Sequence, residues 1–195
     1  MRPVVQSQTG HVLPIVFSLM IGLAAGPCLF ARAPRKSQAP RDSAHYAAWL
    51  TKEVHHELVM LPYLTVFDNL EYKVDGARVT LLGQVVRPTL KSDAERVVKH
   101  IEGVEAVDNQ IEVLPLSPMD DRIRRAEHHA IYGYEPLEQY ALGALPPIRI
   151  IVKNGHVTLE GFVANEGDKN LVGLRANTVP GVFSVTNNLQ IDRSR

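Results

Sequence analysis

Residues 74–113 align with residues 152–191 without a gap, and 11 of the 40 aligned pairs are identical. The first copy reads VDGARVTLLGQVV and the second VKNGHVTLEGFVA, and EGVEAVDNQIEV further on matches PGVFSVTNNLQI. The matches fall on glycines and on apolar residues at every second position, the pattern of a strand with one buried face. A chain of 195 residues that spells one pattern twice folds as two similar modules.

Each copy reads as helix, hairpin, helix, strand. Val79, Leu81, Gly83 and Val85 alternate with Thr80, Leu82, Gln84 and Val86, preceded by the alternating Leu70, Tyr72 and Val74. Asp75-Gly76 is the expected hairpin turn, and Asn154-Gly155 its counterpart. Leu90, Ala94, Val97, Val98 and Ile101 fall at helical spacing, with Gly103 at the helix C-cap. Val107, Asn109, Ile111 and Val113 then alternate as a third strand, parallel to the second because a helix joins them. Upstream, Leu50, Val54 and Leu58 mark an opening helix that ends by Pro62, and Ile123, Ala126, Ala130 and Ile131 mark its counterpart. The expected fold is α+β: two tandem αββαβ modules, residues 45–115 and 118–192, each a three-stranded mixed sheet covered on one face by two helices. The short, proline-containing link between them should hold them close.

The pattern G-x-V-x-L-x-G, a helix, then G-V-x-x-V-x-N-x-L resembles the BON domain, named for bacterial OsmY and nodulation proteins. It is carried by Gly155, Val157, Leu159, Gly161, Gly181, Val182, Val185, Asn187 and Leu189, and in the first copy by Val79, Leu81, Gly83, Gly103, Val104, Val107, Asn109 and Ile111. Ala77 stands where the pattern has its first glycine. Between Ile131 and Ile148 the second copy holds about five more residues than the first. The resemblance implies an exported, periplasmic or membrane-associated protein that binds phospholipid and supports envelope integrity or osmotic-stress tolerance. It also implies, as an alternative, a protein-interaction or oligomerisation module of an envelope assembly.

Residues 12–31 carry no charge, follow a short polar start, and precede a Pro/Arg/Ser stretch that reads as a disordered linker over 32–44. The apolar run reads as a signal peptide or membrane anchor within residues 1–31. Ala24 and Gly26 suit cleavage, but Pro27 does not, and Pro27 directly before Cys28 argues against a lipoprotein site. Arg32, Arg35, Lys36 and Arg41 place more positive charge after the run than before it, which for an uncleaved anchor favours a cytoplasmic body. Export remains the expectation. Lys plus Arg and Asp plus Glu both number 21, and no basic segment stands out, which excludes a nucleic-acid footprint. With one cysteine there is neither a disulfide nor a thiolate metal site.

His55-His56 and His128-His129 occupy equivalent places on the opening helices. Adjacent residues diverge by about 100° on a helix, so the pairs lack the i, i+4 geometry of a metal site; Glu53 and His56 form an E-x-x-H that the second copy lacks. No metal, cofactor or catalytic group is expected, and no nucleophile lies beside a base in any recognisable motif. Asn109 and Asn187 should bond neighbouring backbone, and Gly83, Gly103, Gly155, Gly161 and Gly181 should serve backbone geometry.

The differences between the copies point to binding. Asp93, Arg96 and His100 form the outward side of the first module's second helix, and the second has Leu171, Leu174 and Thr178 there. Lys73, Gln84 and Glu105 correspond to Ile151, Phe162 and Phe183, on or beside the uncovered sheet face. On a helical wheel Val172, Ala176 and Val179 form the core side, with Leu174 almost opposite and Leu171 about 110° away, so neither belongs fully to the core. Two readings follow. In one, Leu171 and Leu174 enter a membrane surface while Lys169 and Arg175 meet anionic phosphates; in the other, the apolar surfaces, Phe162 and Phe183 included, are protein interfaces.

Overall fold

The computed structural model describes residues 43–143 and 145–192, so the expectations for 1–31 and for nearly all of 32–44 lie outside the described residues. In chain order the first module comprises α1 (Ser43–Val59), β1 (Asn69–Asp75), β2 (Arg78–Val85), α2 (Pro88–Lys99), β3 (Ala106–Asn109) and β4 (Glu112–Val113). The second comprises α3 (Pro118–Tyr132), β5 (Ile148–Lys153), β6 (His156–Val163), α4 (Glu166–Ala176), β7 (Ser184–Asn187) and β8 (Gln190–Ile191), with a 3-10 helix over Glu135–Ala141. The fold is α+β, with one mixed sheet per module. β2 runs centrally, antiparallel to β1 and parallel to β3 and β4, and β6 holds the same place between β5 and β7/β8.

The third strand of each sheet is broken in two, and the repeated asparagine explains how the break is tolerated. Asn109 Nδ2 donates to the carbonyl of Lys91 on α2 (2.8 Å), while its Oδ1 accepts from Ile111 N (3.2 Å). Asn187 repeats both bonds with the carbonyl of Lys169 and with Leu189 N. One amide thus ties helix to strand and satisfies a backbone N–H that the interrupted ladder leaves over. The first hairpin turns on Gly76-Ala77, one residue later than expected, because Asp75 pairs with Arg78. Gly76 has φ +57°, whereas Asn154 and Gly155, at φ +51° and +79°, give a turn with two left-handed residues.

The cores are separate. Leu50, Val54, Leu58, Val79, Leu81, Val85, Leu90, Ala94 and Val98 fill the first, and Ile123, Ile131, Ile148, Ile150, Val157, Leu159, Val172 and Ala176 fill the second. The second has lost one core leucine: Leu90 corresponds to Asp168. The additional segment compensates, because its Leu137 and Tyr140 are buried and Tyr140 Oη donates to Asp168 (2.5 Å) and accepts from Ala164 N (2.8 Å). Asp168 N also closes an Asn165 N-cap on α4.

The modules are joined by more than their link. The loop before β1 places Val66 in the second module's core, and Val66 O accepts from Ile150 N (2.8 Å) on the free edge of β5. Covering that edge removes a template for unwanted strand pairing. Asp68, buried, shapes this loop by accepting from Thr65 N, Thr65 Oγ1 and Val86 N. Phe67 packs its ring beside His128, and Lys153 pairs with Glu112 at 2.5 Å. This contact corrects the expected exposure of Ile151. Only 5% exposed, Ile151 shares a cleft with Gln84, Glu112 and the buried Leu114 of the first module.

Candidate functional site

The surface that distinguishes the modules is built around α4 and β6. Val172, Ala176 and Val179 are buried, and Leu174, in the last turn of α4, is 66% exposed. Leu171 is half-buried and packs against the module's core. Arg175 also turns inward. Its Nε donates to Ala130 O (3.0 Å) and its guanidinium lies 4.6 Å from the centre of the Tyr134 ring, so it caps the carbonyl end of α3 instead of standing beside Leu174.

Phe162 and Phe183 are exposed but far apart. Phe183, 76% exposed, sits over Gly155 and 5.9 Å from the His156 ring, at the start of β6. Phe162, 52% exposed, lies near the other end of that strand, about 20 Å away at 3.3 Å per residue. Lys169, in the first turn of α4, belongs to the Phe162 end. The six residues grouped from sequence therefore divide: Leu174 and Phe183 at the turn end of the module, Phe162 and Lys169 towards the other, Leu171 and Arg175 turned in.

The turn end has a third apolar member that pattern reading missed. Asp120 accepts from Asn154 N (2.9 Å) and Gly155 N (2.8 Å), which pins the start of α3 onto the β5–β6 turn. Met119, 44% exposed, then rests on Gly181, where a β-carbon would strike its methyl group. The first module repeats this geometry with Tyr46 on Gly103. Matching the opening helices through their histidine pairs places Met119 opposite Tyr46, so the signal was present. Arg122 and Arg125 are exposed on the outer side of α3, without an ion pair among the described residues.

The doubled histidines do not converge. All four are exposed; the His128 ring lies tilted beside Phe67 and Tyr132, and His55 lies 6.5 Å from the Tyr72 ring. Among the described residues no three His, Cys, Asp or Glu side chains gather as a metal site. Among them, too, no helix is long and apolar enough to cross a membrane.

The BON domain model matches residues 46–115 and 140–193, well over half of the chain. The chain belongs to the BON domain family. The second match leaves out α3, yet α3 packs on its BON module as α1 does on the first. Tandem BON modules of this kind carry a general association with the cell envelope. No curated protein matches by sequence. Solved structures that resemble the chain include two of one protein. One is CdsD, a structural protein of the Type III secretion system of Chlamydia trachomatis, at 13% identity over 74% of this chain and 93% of that one, with a TM-score of 0.29. The other is the C-terminal domain of CdsD, at 14% identity over 73% and 97%, with a TM-score of 0.27.

Proposed function

We propose that this tandem BON protein is an exported, non-catalytic envelope component that binds phospholipid surfaces through the turn end of its second module, in support of envelope integrity or osmotic-stress tolerance. The observation that carries the reading is Phe183, 76% exposed where the first module has Glu105. Leu174 stands likewise where the first module has Arg96, and Met119 lies at the same end. An aromatic, a leucine and a methionine held out on a rigid frame suit the headgroup boundary, and Arg122 and Arg125 can meet anionic phosphates nearby.

Flotation with vesicles containing an anionic phospholipid tests this directly. Leu174→Arg and Phe183→Glu, which install the first module's residues, should each weaken binding about tenfold, taking roughly 1.5 kcal/mol per lost apolar contact. Both positions are exposed, so stability should change by less than about 0.5 kcal/mol. Unchanged flotation of both variants overturns the proposal. Concentration-dependent self-assembly without vesicles, lost in the same variants, would establish the oligomerisation reading instead. Placement is tested separately: a reporter fused after Arg195 should be active only outside the cytoplasm, and activity of a cytoplasm-only reporter would reverse it.

A further inference from the structure

The two modules enclose a cleft of about 450 Å³. Leu58, Leu70 and Tyr72 line it from the first module, and Pro147, Phe162 and Arg149 from the second. Most of this lining is apolar, and the volume lies in the lower part of the range for small-molecule sites.

Arg149 is the anomaly in it. The side chain is half-buried, and its one hydrogen bond is a long one from Nη1 to Thr65 O, 3.3 Å. No carboxylate lies within ion-pairing distance of it among the described residues. Asp68 lines the same cleft, but both of its oxygens are taken by Thr65 and Val86 N. His55 also lines it and adds no negative charge. A guanidinium cannot shed its proton, so burial leaves a cation with donors to spare, and the Asp68 carboxylate balances its charge only across a gap, without a hydrogen bond to it. A carboxylate is the group its planar fork fits best.

We infer that the inter-module cleft binds a single-chain amphiphile with a carboxylate head, the head on Arg149 and the chain along Leu58, Leu70 and Phe162. The volume suits one chain and not two, which sets this site apart from the surface contact proposed above. Phe162, which has no place at the turn end, then has a role: it forms the second module's apolar wall.

Calorimetric titration of the whole protein with dodecanoate, below its micelle-forming concentration, tests the assignment against dodecanol and acetate. Dodecanoate should bind at least tenfold more tightly than either, since each control lacks one half of the match. Arg149→Gln should lose at least tenfold, and Arg149→Lys, which keeps the charge, should lose less. Leu174→Arg should leave dodecanoate binding unchanged, and Arg149→Gln should still float with vesicles, so the two sites fail separately. Should Arg149→Gln not fold, backbone NMR shifts of the unaltered protein decide: dodecanoate should move Leu70, Tyr72 and Phe162. Equal affinity for dodecanol, no binding of dodecanoate, or shifts confined to the turn end would overturn the inference.

Discussion

Glu127→Val should stabilise the protein at pH 9 by on the order of 4 kcal/mol and remove most of its loss of stability between pH 5 and pH 9. Glu127 is 0% exposed on the core side of α3, and neither carboxyl oxygen has a hydrogen-bond partner among the described residues. Burial pushes its pKa from the ordinary 4.5 up to about 8, with no neighbouring charge to offset it. Nearby cations are committed elsewhere: Arg124 to Asp121 and Val152 O, Arg175 to Ala130 O. Below about pH 4.5 the carboxyl is neutral whether the chain is folded or not. Between there and about pH 8 the unfolded chain ionises while the native state keeps its proton, so stability falls as pH rises. Above about 8 the full penalty stands.

Valine is the natural replacement because the first module has Val54, fully buried, at the equivalent position. Urea unfolding of wild type, Glu127→Val and Glu127→Gln at both pH values separates the contributions. The glutamine variant should also lose the pH dependence and so gain stability over wild type at pH 9, but unlike valine it should gain none at pH 5, since its amide is still buried without a partner. A valine variant with the wild-type pH dependence would show that another group is responsible.

The repeat made the architecture legible: the order of elements, the parallel third strand and the separate cores follow from residues that serve the same purpose in both copies. Comparison of the copies failed where the modules touch. Ile151 was read as exposed because its counterpart Lys73 is a surface residue, yet it is covered by the neighbourhood of Leu114. Leu171, which the wheel sets about 110° from the core cluster, is half-buried against that core. The six proposed site residues share an alignment but not a surface, since strand length separates Phe162 from Phe183. Glu127 was missed despite an available signal: the histidine pairs align it with Val54, a core position. Arg149 had no signal, because its surroundings come from both modules at once.

Gly161→Ala should destabilise the second module by about 3 kcal/mol, far more than the same change at Gly76. Both glycines have positive φ, +108° and +57°, so conformation alone predicts a cost at each. An alanine at the Gly76 turn would meet nothing within 4 Å and should cost only about 1–2 kcal/mol for its left-handed backbone. At Gly161 the β-carbon would overlap the carbonyl oxygen of Pro147, which also accepts Phe162 N at 3.3 Å. That oxygen belongs to the entry into β5 and cannot move aside as a flexible side chain would, so relief requires β5 to shift away from β6. Gly83 stands in the same relation to Asn69 O in the first module, which accounts for the repeated glycine as close strand approach. Urea unfolding of Gly161→Ala, Gly83→Ala and Gly76→Ala provides the comparison. Equal losses at all three would mean that backbone conformation alone selects these glycines, and a near-neutral Gly161→Ala would mean that β5 yields far more easily than its place between the two modules requires.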